Sequence, residues 1–199
     1  MIPVGVFAKP PLPGLVKTRL MADIGAAKAT RVYRYCLGYA LDVARHSGLD
    51  YAVYLSQESD EAPFNEEQYR LQKGRDLGER MLNALQDMLD DGASAAIIIG
   101  SDCLDLGAQR LQQAAQALAS HELVLIPAVD GGFALIGCRE ADPELFRSVH
   151  WGTSRVLEQT LANAHRLRYR VSLLESVRDI DTLQDLEHYP ELLALIASS

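Results

Sequence analysis

The sequence predicts an α/β sandwich with a mostly parallel sheet and one antiparallel strand. Three observations carry that expectation. Short apolar runs alternate with segments whose apolar residues recur every three or four positions, the periods of buried strands and one-sided helices. The runs Leu123–Val129 and Phe133–Cys138 are separated only by Asp130-Gly131-Gly132, the connection of a hairpin, which makes one strand antiparallel. No repeat, low-complexity tract or linker divides the 199 residues, so 1–199 is expected to be one domain.

The elements follow in order. Ile2–Ala8 is a short apolar run stopped by Lys9-Pro10-Pro11 and reads as a buried strand. Between Ile24 and His46 the apolar positions Ala29, Val32, Tyr33, Cys36, Leu37, Ala40 and Val43 form one helical stripe, and Ser47-Gly48 ends it. Tyr51–Ser56 is a second strand and Gln57–Glu67 a polar connection. Leu77–Leu89 repeats the helical spacing through Leu77, Met81 and Leu85. The β-branched run Ala95–Ile99, ending at Gly100-Ser101-Asp102, suits a central parallel strand, and Leu106–Leu118 an Ala/Gln-rich helix behind it. After the hairpin come a helix over Ser154–Ala164, a last strand over Val171–Leu174 and two short helices, Leu183–Tyr189 and Glu191–Ile196. Strands alternating with helices stack into a layered sandwich.

Composition narrows the function classes. With 48% hydrophobic residues the chain is too apolar for a disordered tail. No apolar run approaches the ~18 residues of a membrane span. The first residues carry neither a basic leader segment nor a small-residue cleavage site, so a cytoplasmic protein is expected. Cys36, Cys103 and Cys138 are too few and too widely spaced for a disulfide framework or a zinc ribbon. Lys and Arg number 19 against 27 Asp and Glu, a net charge of −8, which argues against a nucleic-acid partner. The charge is unevenly placed: residues 1–22 carry Lys9, Lys17 and Arg19 and no acid.

Ligands of open parallel sheets bind beyond the carboxyl ends of the strands. The loop after the first strand, from Lys9 through Gly14 to Lys17 and Arg19, lies there. Its prolines stiffen it, Gly14 permits close backbone approach, and Lys17 and Arg19 can reach phosphate oxygens. It is not a Walker loop, because Gly-Lys-Ser/Thr is missing. The alternative is a solvated cationic loop. Asp102, after the Ala95–Ile99 run, either holds a hard divalent cation or caps the following helix, a role that Asp105 fits better. In Asp179-Ile180-Asp181-Thr182 the two carboxylates point the same way in an extended segment, so that they supply a second metal contact, or Asp181 simply caps the helix beginning at Leu183. Asp130-Gly131-Gly132 is explained as a tight turn, although turn chemistry says nothing about its apolar flanks. Cys103 reads as a small packing residue rather than a nucleophile, since no His partner is placed beside it. Trp151 either stacks on a ligand or plugs the packing, and His150 either meets an acceptor or is simply exposed.

Six segments in register resemble a known family: FAKPPLPGLVKTRL (7–20), QKGRDLGERM (72–81), IGSDC (99–103), DGGFALIG (130–137), WGT (151–153) and DIDTLQDL (179–186). They resemble the small bacterial nucleotide-diphospho-sugar-transferase-like proteins, also labelled radical-SAM/selenodomain-associated or glycosyltransferase-like. More distantly they are similar to phospholactate guanylyltransferase and the molybdenum-cofactor nucleotidyltransferases. The resemblance implies a Rossmann-like GT-A three-layer α/β/α sandwich (the nucleotide-diphospho-sugar transferase fold). It implies that Lys17 and Arg19 belong to the nucleotide phosphate loop, of which Lys9 and Gly14 are further nucleotide-binding candidates, and that Gln72, Gly74 and Leu77 lie over the base. It implies Asp102 and Asp181 as metal positions, for Mg²⁺ or Mn²⁺. Asp130, Gly131, Gly132, Trp151, Gly152 and Thr153 would face the acceptor. Lys17, Arg19 and Asp102 are the expected catalytic groups, and Asp130 joins them only by its place at a strand end, not by the resemblance. Two positions depart from the family pattern: Leu104 replaces the usual Pro and leaves no D-x-D, and the aromatic pair after the double glycine is reduced to Phe133-Ala134.

The leading expectation is therefore a glycosyltransferase moving a sugar from a nucleotide donor to a small-molecule acceptor with divalent-metal assistance, away from nucleic acid and membranes. The alternatives are a nucleotidyltransferase releasing pyrophosphate from a nucleoside triphosphate, and a non-catalytic nucleotide- or partner-binding module.

Overall fold

The computed structural model describes residues 1–65 and 68–197. Along the chain run β1 (Val4–Ala8), α1 (Thr18–Ile24), α2 (Ala26–His46), β2 (Tyr51–Leu55), β3 (Tyr69–Leu71), α3 (Leu77–Asp90), β4 (Ala96–Ile99) and α4 (Ala108–Ala117). The second half holds β5 (Leu123–Pro127), β6 (Phe133–Cys138), α5 (Pro143–Phe146), α6 (Val156–Arg166), β7 (Val171–Leu173), α7 (Leu183–Leu186) and α8 (Pro190–Ala197). One seven-stranded sheet has the order β3-β2-β1-β4-β6-β5-β7. β1 pairs in parallel with β2 and with β4, with Val4 opposite Tyr51 and Ile97. β6 runs antiparallel to both β4 and β5, and β7 is parallel to β5. The sheet is thus mostly parallel with β6 as its antiparallel strand, and Asp130-Gly131-Gly132 lies in the β5–β6 connection.

Strand alternation sends successive side chains to opposite faces and so builds three layers. Val4, Val6 and Ala8 of β1 join Leu37 and Leu41 of α2 and Leu111 of α4 in one core. On the other face Phe7, Tyr54 and Ile98 pack with Met81 and Leu85 of α3 and Ala164 of α6. A third cluster brings Leu20 of α1, Val32 and Cys36 of α2, Ile180, Leu186 and Leu192 together. This third cluster docks the C-terminal segment against the start of the chain, and it decides where the site forms.

Several local expectations change. Lys17-Thr18-Arg19 is not all loop, because α1 starts at Thr18 and buries Leu20; Gly25, at φ 83°, separates α1 from α2. β3 has only three residues, two of them exposed, too few to show an alternation. The short α5, capped by Asp142, also carries no periodic signal. α4 is capped by Gly107 rather than Asp105, whose Oδ2 instead accepts from the Arg178 N–H at 3.2 Å. The expected polar connection over 57–67 runs partly outside the described residues, at 66 and 67. Among the described residues no helix is long and apolar enough to cross a membrane.

Candidate functional site

Lys17 is the centre of the site. It stands at the N-cap of α1 in a left-handed conformation, φ 49° and ψ 47°, which costs a non-glycine residue about 1 kcal/mol. Its side chain, 3% exposed, reaches between two carboxylates: Nζ lies 3.3 Å from Asp102 Oδ2 and 3.3 Å from Asp181 Oδ1. Burial alone would favour the neutral amine. The charges of Asp102 and Asp181 outweigh it and raise the Lys17 pKa above its ordinary value. Arg19, 65% exposed on the first turn of α1, adds a longer contact of 3.7 Å from Nη1 to the other Asp181 oxygen.

Each carboxylate is free of the plainer role that its sequence position offers. Asp102 caps no helix: it sits in the loop after β4, five residues before the Gly107 cap. Thr182, not Asp181, caps α7, in a capping box completed by Asp185. Asp185 Oδ2 accepts from the Asp181 N–H at 3.1 Å and the Thr182 N–H at 2.8 Å. The Asp181 side chain is left to face Lys17. Both carboxylates remain about 40% exposed, open to a ligand on the side away from the ammonium.

Tyr33 fastens the two loops beneath this centre. Its hydroxyl accepts from the Lys9 N–H at 2.8 Å, donates to the Lys9 carbonyl at 3.1 Å, and lies 3.1 Å from Ser101 Oγ. The loop after β1 is thereby tied to the loop after β4. In the helical stripe of α2 nothing separates this tyrosine from a core residue, so the sequence gives no signal for its role. Ser101, Arg80 and Phe133 are likewise lining residues to which the sequence assigned no ligand contact.

These groups line a cavity of about 720 Å³. Phe7, Met81, Ile98 and Ile136 contribute its apolar surface, and Lys9, Lys17, Arg19 and Arg80 its cations. Leu15 and Leu77, each nearly half exposed, line it as well. Gln72 also lines it, with Nε2 donating to the Ala8 carbonyl at 3.2 Å and the Tyr54 carbonyl at 2.8 Å, which closes the ends of β1 and β2. Gly74 is outside the lining; at φ 143° it backs onto α3, where a Cβ would come within 2.7 Å of the Arg80 nitrogen. Gly14, at φ 88°, forms the turn of the proline-rich loop and is also outside the lining.

The segments expected to face an acceptor are divided. Gly152 lines the cavity; Asp130, Gly131, Gly132, Trp151 and Thr153 do not. Asp130 Oδ1 accepts from the Gly132 N–H at 2.8 Å, and Gly131, at φ 92°, lies against the Ser154 carbonyl. Trp151 is a packing group: it meets Phe133 edge-to-face and Phe146 at a tilt, with ring centroids 6.4 and 6.3 Å away, and its indole presses on Gly78 of α3. Thr153 Oγ1 donates to the His150 carbonyl at 2.7 Å within a turn. His150 is exposed, and its Nδ1 lies 2.7 Å from Gln159 Nε2.

Asp179 belongs to the cavity too. Burial pushes its carboxyl up to about 8, the charges of Asp102 and Asp130 push in the same direction, and Lys17 opposes them. Its Oδ1 is buried without a hydrogen-bond partner among the described residues. Cys103 is buried and its thiol is pushed up to about 12, so it presents no thiolate. Among the described residues no group of three or more His, Cys, Asp or Glu is arranged to hold a metal ion.

Comparison with known proteins adds to this geometry. The family described as "Uncharacterized protein conserved in bacteria (DUF2064)" matches residues 40–153. No curated protein matches the chain. The crystal structure of a candidate nucleotide-diphospho-sugar transferase from Desulfovibrio desulfuricans G20 superposes with a TM-score of 0.89 at 30% identity, covering 98% of this chain and 96% of that one. A CMP:2-keto-3-deoxy-manno-octonic acid synthetase complexed with CTP shares the fold at a TM-score of 0.60 and 10% identity, over 97% and 98% of the two chains. A manganese complex of Rv0371C from Mycobacterium tuberculosis H37Rv does so at 0.55 and 15%, over 100% and 99%.

Proposed function

From the premise that this chain belongs to the DUF2064 family and has a GT-A-like, nucleotidyltransferase-type fold, we propose that it is a metal-assisted transferase acting on a nucleotide-linked donor. The first reading is glycosyl transfer from a nucleotide-diphospho-sugar to a small-molecule acceptor. The observation that carries it is the convergence of Lys17, Asp102 and Asp181 on one point at the cavity beyond β1 and β4.

The donor set suits a hard divalent cation. Asp102 and Asp181 bring carboxylate oxygens to one shared cationic position, and Asp179 keeps an unpartnered buried oxygen in the same lining. Two carboxylates with substrate phosphates are an ordinary Mg²⁺ environment, so a third protein ligand is not required. Asp102 and Asp181 would hold the ion, Mg²⁺ or Mn²⁺, and it would neutralise charge on the departing phosphate. The protein's own cations share that task. Arg19 and Lys9 line the cavity with their charge towards solvent, where a diphosphate would enter, and Lys17 lies beneath. Leu15 and Leu77 offer aliphatic surface for a base, and the apolar surface around Phe7, Met81 and Phe133 excludes water from the reacting centre. Asp130 stands outside the lining, and only its charge reaches Asp179, so no contact with the cavity supports an acceptor role for it.

Nucleotidyl transfer is the second reading. It is supported by the CTP complex of the synthetase that shares the fold. Incubation with Mg²⁺, nucleoside triphosphates, nucleotide sugars and an acceptor panel separates the two. Nucleoside diphosphate as product supports the first and pyrophosphate the second. Neither product, together with no binding of any nucleotide, would sink both.

A further inference from the structure

In the structure, the cation that Asp102 and Asp181 share is the ammonium of Lys17. Nζ lies 3.3 Å from an oxygen of each, and the side chain is almost wholly enclosed. These carboxylates are the residues assigned above to the divalent ion. An ammonium and a divalent cation a few ångström apart repel each other strongly in a half-buried site. The pair carries two negative charges, which a divalent ion balances by itself. With Lys17 in place one charge remains, offset among the described residues by the exposed Arg19 guanidinium at 3.7 Å.

We propose that Lys17 is an exchangeable counter-cation: its ammonium and the divalent ion compete for the Asp102–Asp181 pair, so that the metal's entry releases Lys17 to the donor phosphates. The inference rests on the metal-assisted reading and adds a regulation of the same site. Three features support it. Lysine is a compact charge on a flexible four-carbon stem, able to swing between partners, whereas a guanidinium fork would be held in one geometry. Lys17 lines the same cavity as Lys9 and Arg19, so a released ammonium stays within reach of a phosphate chain. Its left-handed backbone, at the junction of loop and helix, is a strained setting in which a change of φ redirects the whole side chain. Metal and nucleotide binding then favour each other through one residue: the ion vacates the ammonium, and the phosphates accept it.

The test uses the full chain and Mn²⁺ alone, with free ion followed by electron paramagnetic resonance. Wild type, Lys17→Met, Asp102→Asn and Asp181→Asn are compared without nucleotide. Lys17→Met is expected to bind Mn²⁺ roughly tenfold more tightly than wild type, within the usual range of coupling. Equal or weaker binding by Lys17→Met, while the Asp variants lose the ion, overturns the exchange and leaves the metal site standing. Retention of Mn²⁺ by both Asp variants overturns the metal-assisted reading itself. A second measurement needs no variant. In the ¹H–¹⁵N spectrum of the wild-type lysine ammonium groups, the shielded Lys17 signal is expected to vanish into solvent exchange as Mg²⁺ saturates the protein. Its persistence at saturating Mg²⁺ also overturns the exchange.

Discussion

The backbone N–H of Ile180 donates to the carbonyl of Asp102 at 3.0 Å. This bond joins the segment after β7 to the loop after β4. It brings Asp181, remote in sequence, opposite Asp102 across Lys17. Ile180 itself is fully buried in the cluster with Leu20 and Leu186, so the packing of the C-terminal helices and the placement of the carboxylate are one event. A charged site is thus held by an apolar anchor one residue away.

Weakening that anchor should therefore be felt in the site. Ile180→Ala is expected to cost about 2–4 kcal/mol of stability through lost burial and the cavity left behind. Urea unfolding checks the stability loss. Nucleotide affinity should fall in the same variant at temperatures where it is still folded, and unchanged affinity would show that Asp181 is placed by other contacts.

Tyr33→Phe removes the hydroxyl that serves the Lys9 backbone and Ser101. A loss of about 1–2 kcal/mol is expected, since buried partners are left unpaired while the ring still fits. Chemical denaturation of the two proteins measures it, and a change below about 0.5 kcal/mol would mean that water replaces the hydroxyl.

Glycine positions where a side chain would meet bulky or fixed groups give a sharper test of the packing. At Gly78 an added Cβ would lie 2.6 Å from Trp151 Nε1, and at Gly131 it would lie 2.2 Å from the Ser154 carbonyl oxygen. Gly78→Ala should cost about 1–3 kcal/mol by overpacking and shift Trp151 fluorescence. Gly131→Ala should cost at least as much, because the obstacle is backbone and the φ of 92° disfavours a side chain. Thermal melts of both variants at wild-type values would contradict the described packing.

The edge strand β7 is held beside an ion pair with a defined pH dependence. Glu122 Oε2 accepts from the Arg170 N–H at 2.8 Å and Nε at 3.1 Å, and Oε1 from Nη2 at 2.6 Å. The Arg170 side-chain bonds, and then its backbone bond, lower the Glu122 carboxyl to about 2. A depressed carboxyl contributes stability above its unfolded pKa, about 4.3, and that contribution is lost as pH falls through about 2. Glu122→Gln should lower the melting temperature at pH 7 and make progressively less difference between pH 4 and pH 2. A difference constant across that window would contradict the assignment.

Much of this was legible in the residues. The β-branched run before Gly100 marks the central strand because burial on both faces demands it, and Asp-Gly-Gly between two apolar runs marks the hairpin. Lys17, Asp102 and Asp181 stand out as charged residues beside strand ends or capping positions, but only the family resemblance implies that they meet, since the meeting depends on Ile180 docking against α1 and α2. Tyr33 is hidden because a helical stripe does not distinguish a tyrosine that packs from one that also fastens two loops. The start of α1 is obscured by Lys17 and Arg19, whose charges read as loop although Leu20 is fully buried. Trp151 and Gly78 are 73 positions apart, and only the fold shows that one exists to receive the other.

On the proposed function, Lys17, Asp102 and Asp181 form a metal-dependent nucleotide site. Its most direct test is calorimetric titration of a nucleotide panel into wild type and Asp102→Asn, with and without Mg²⁺, alongside thermal melts. Wild type is expected to bind a nucleotide more tightly with Mg²⁺, with a stabilisation of about 2.7 kcal/mol at a hundredfold excess over Kd. Asp102→Asn should keep its fold and lose the Mg²⁺ dependence. Nucleotide binding that is indifferent to Mg²⁺ in wild type, or equally metal-dependent in Asp102→Asn, would contradict it.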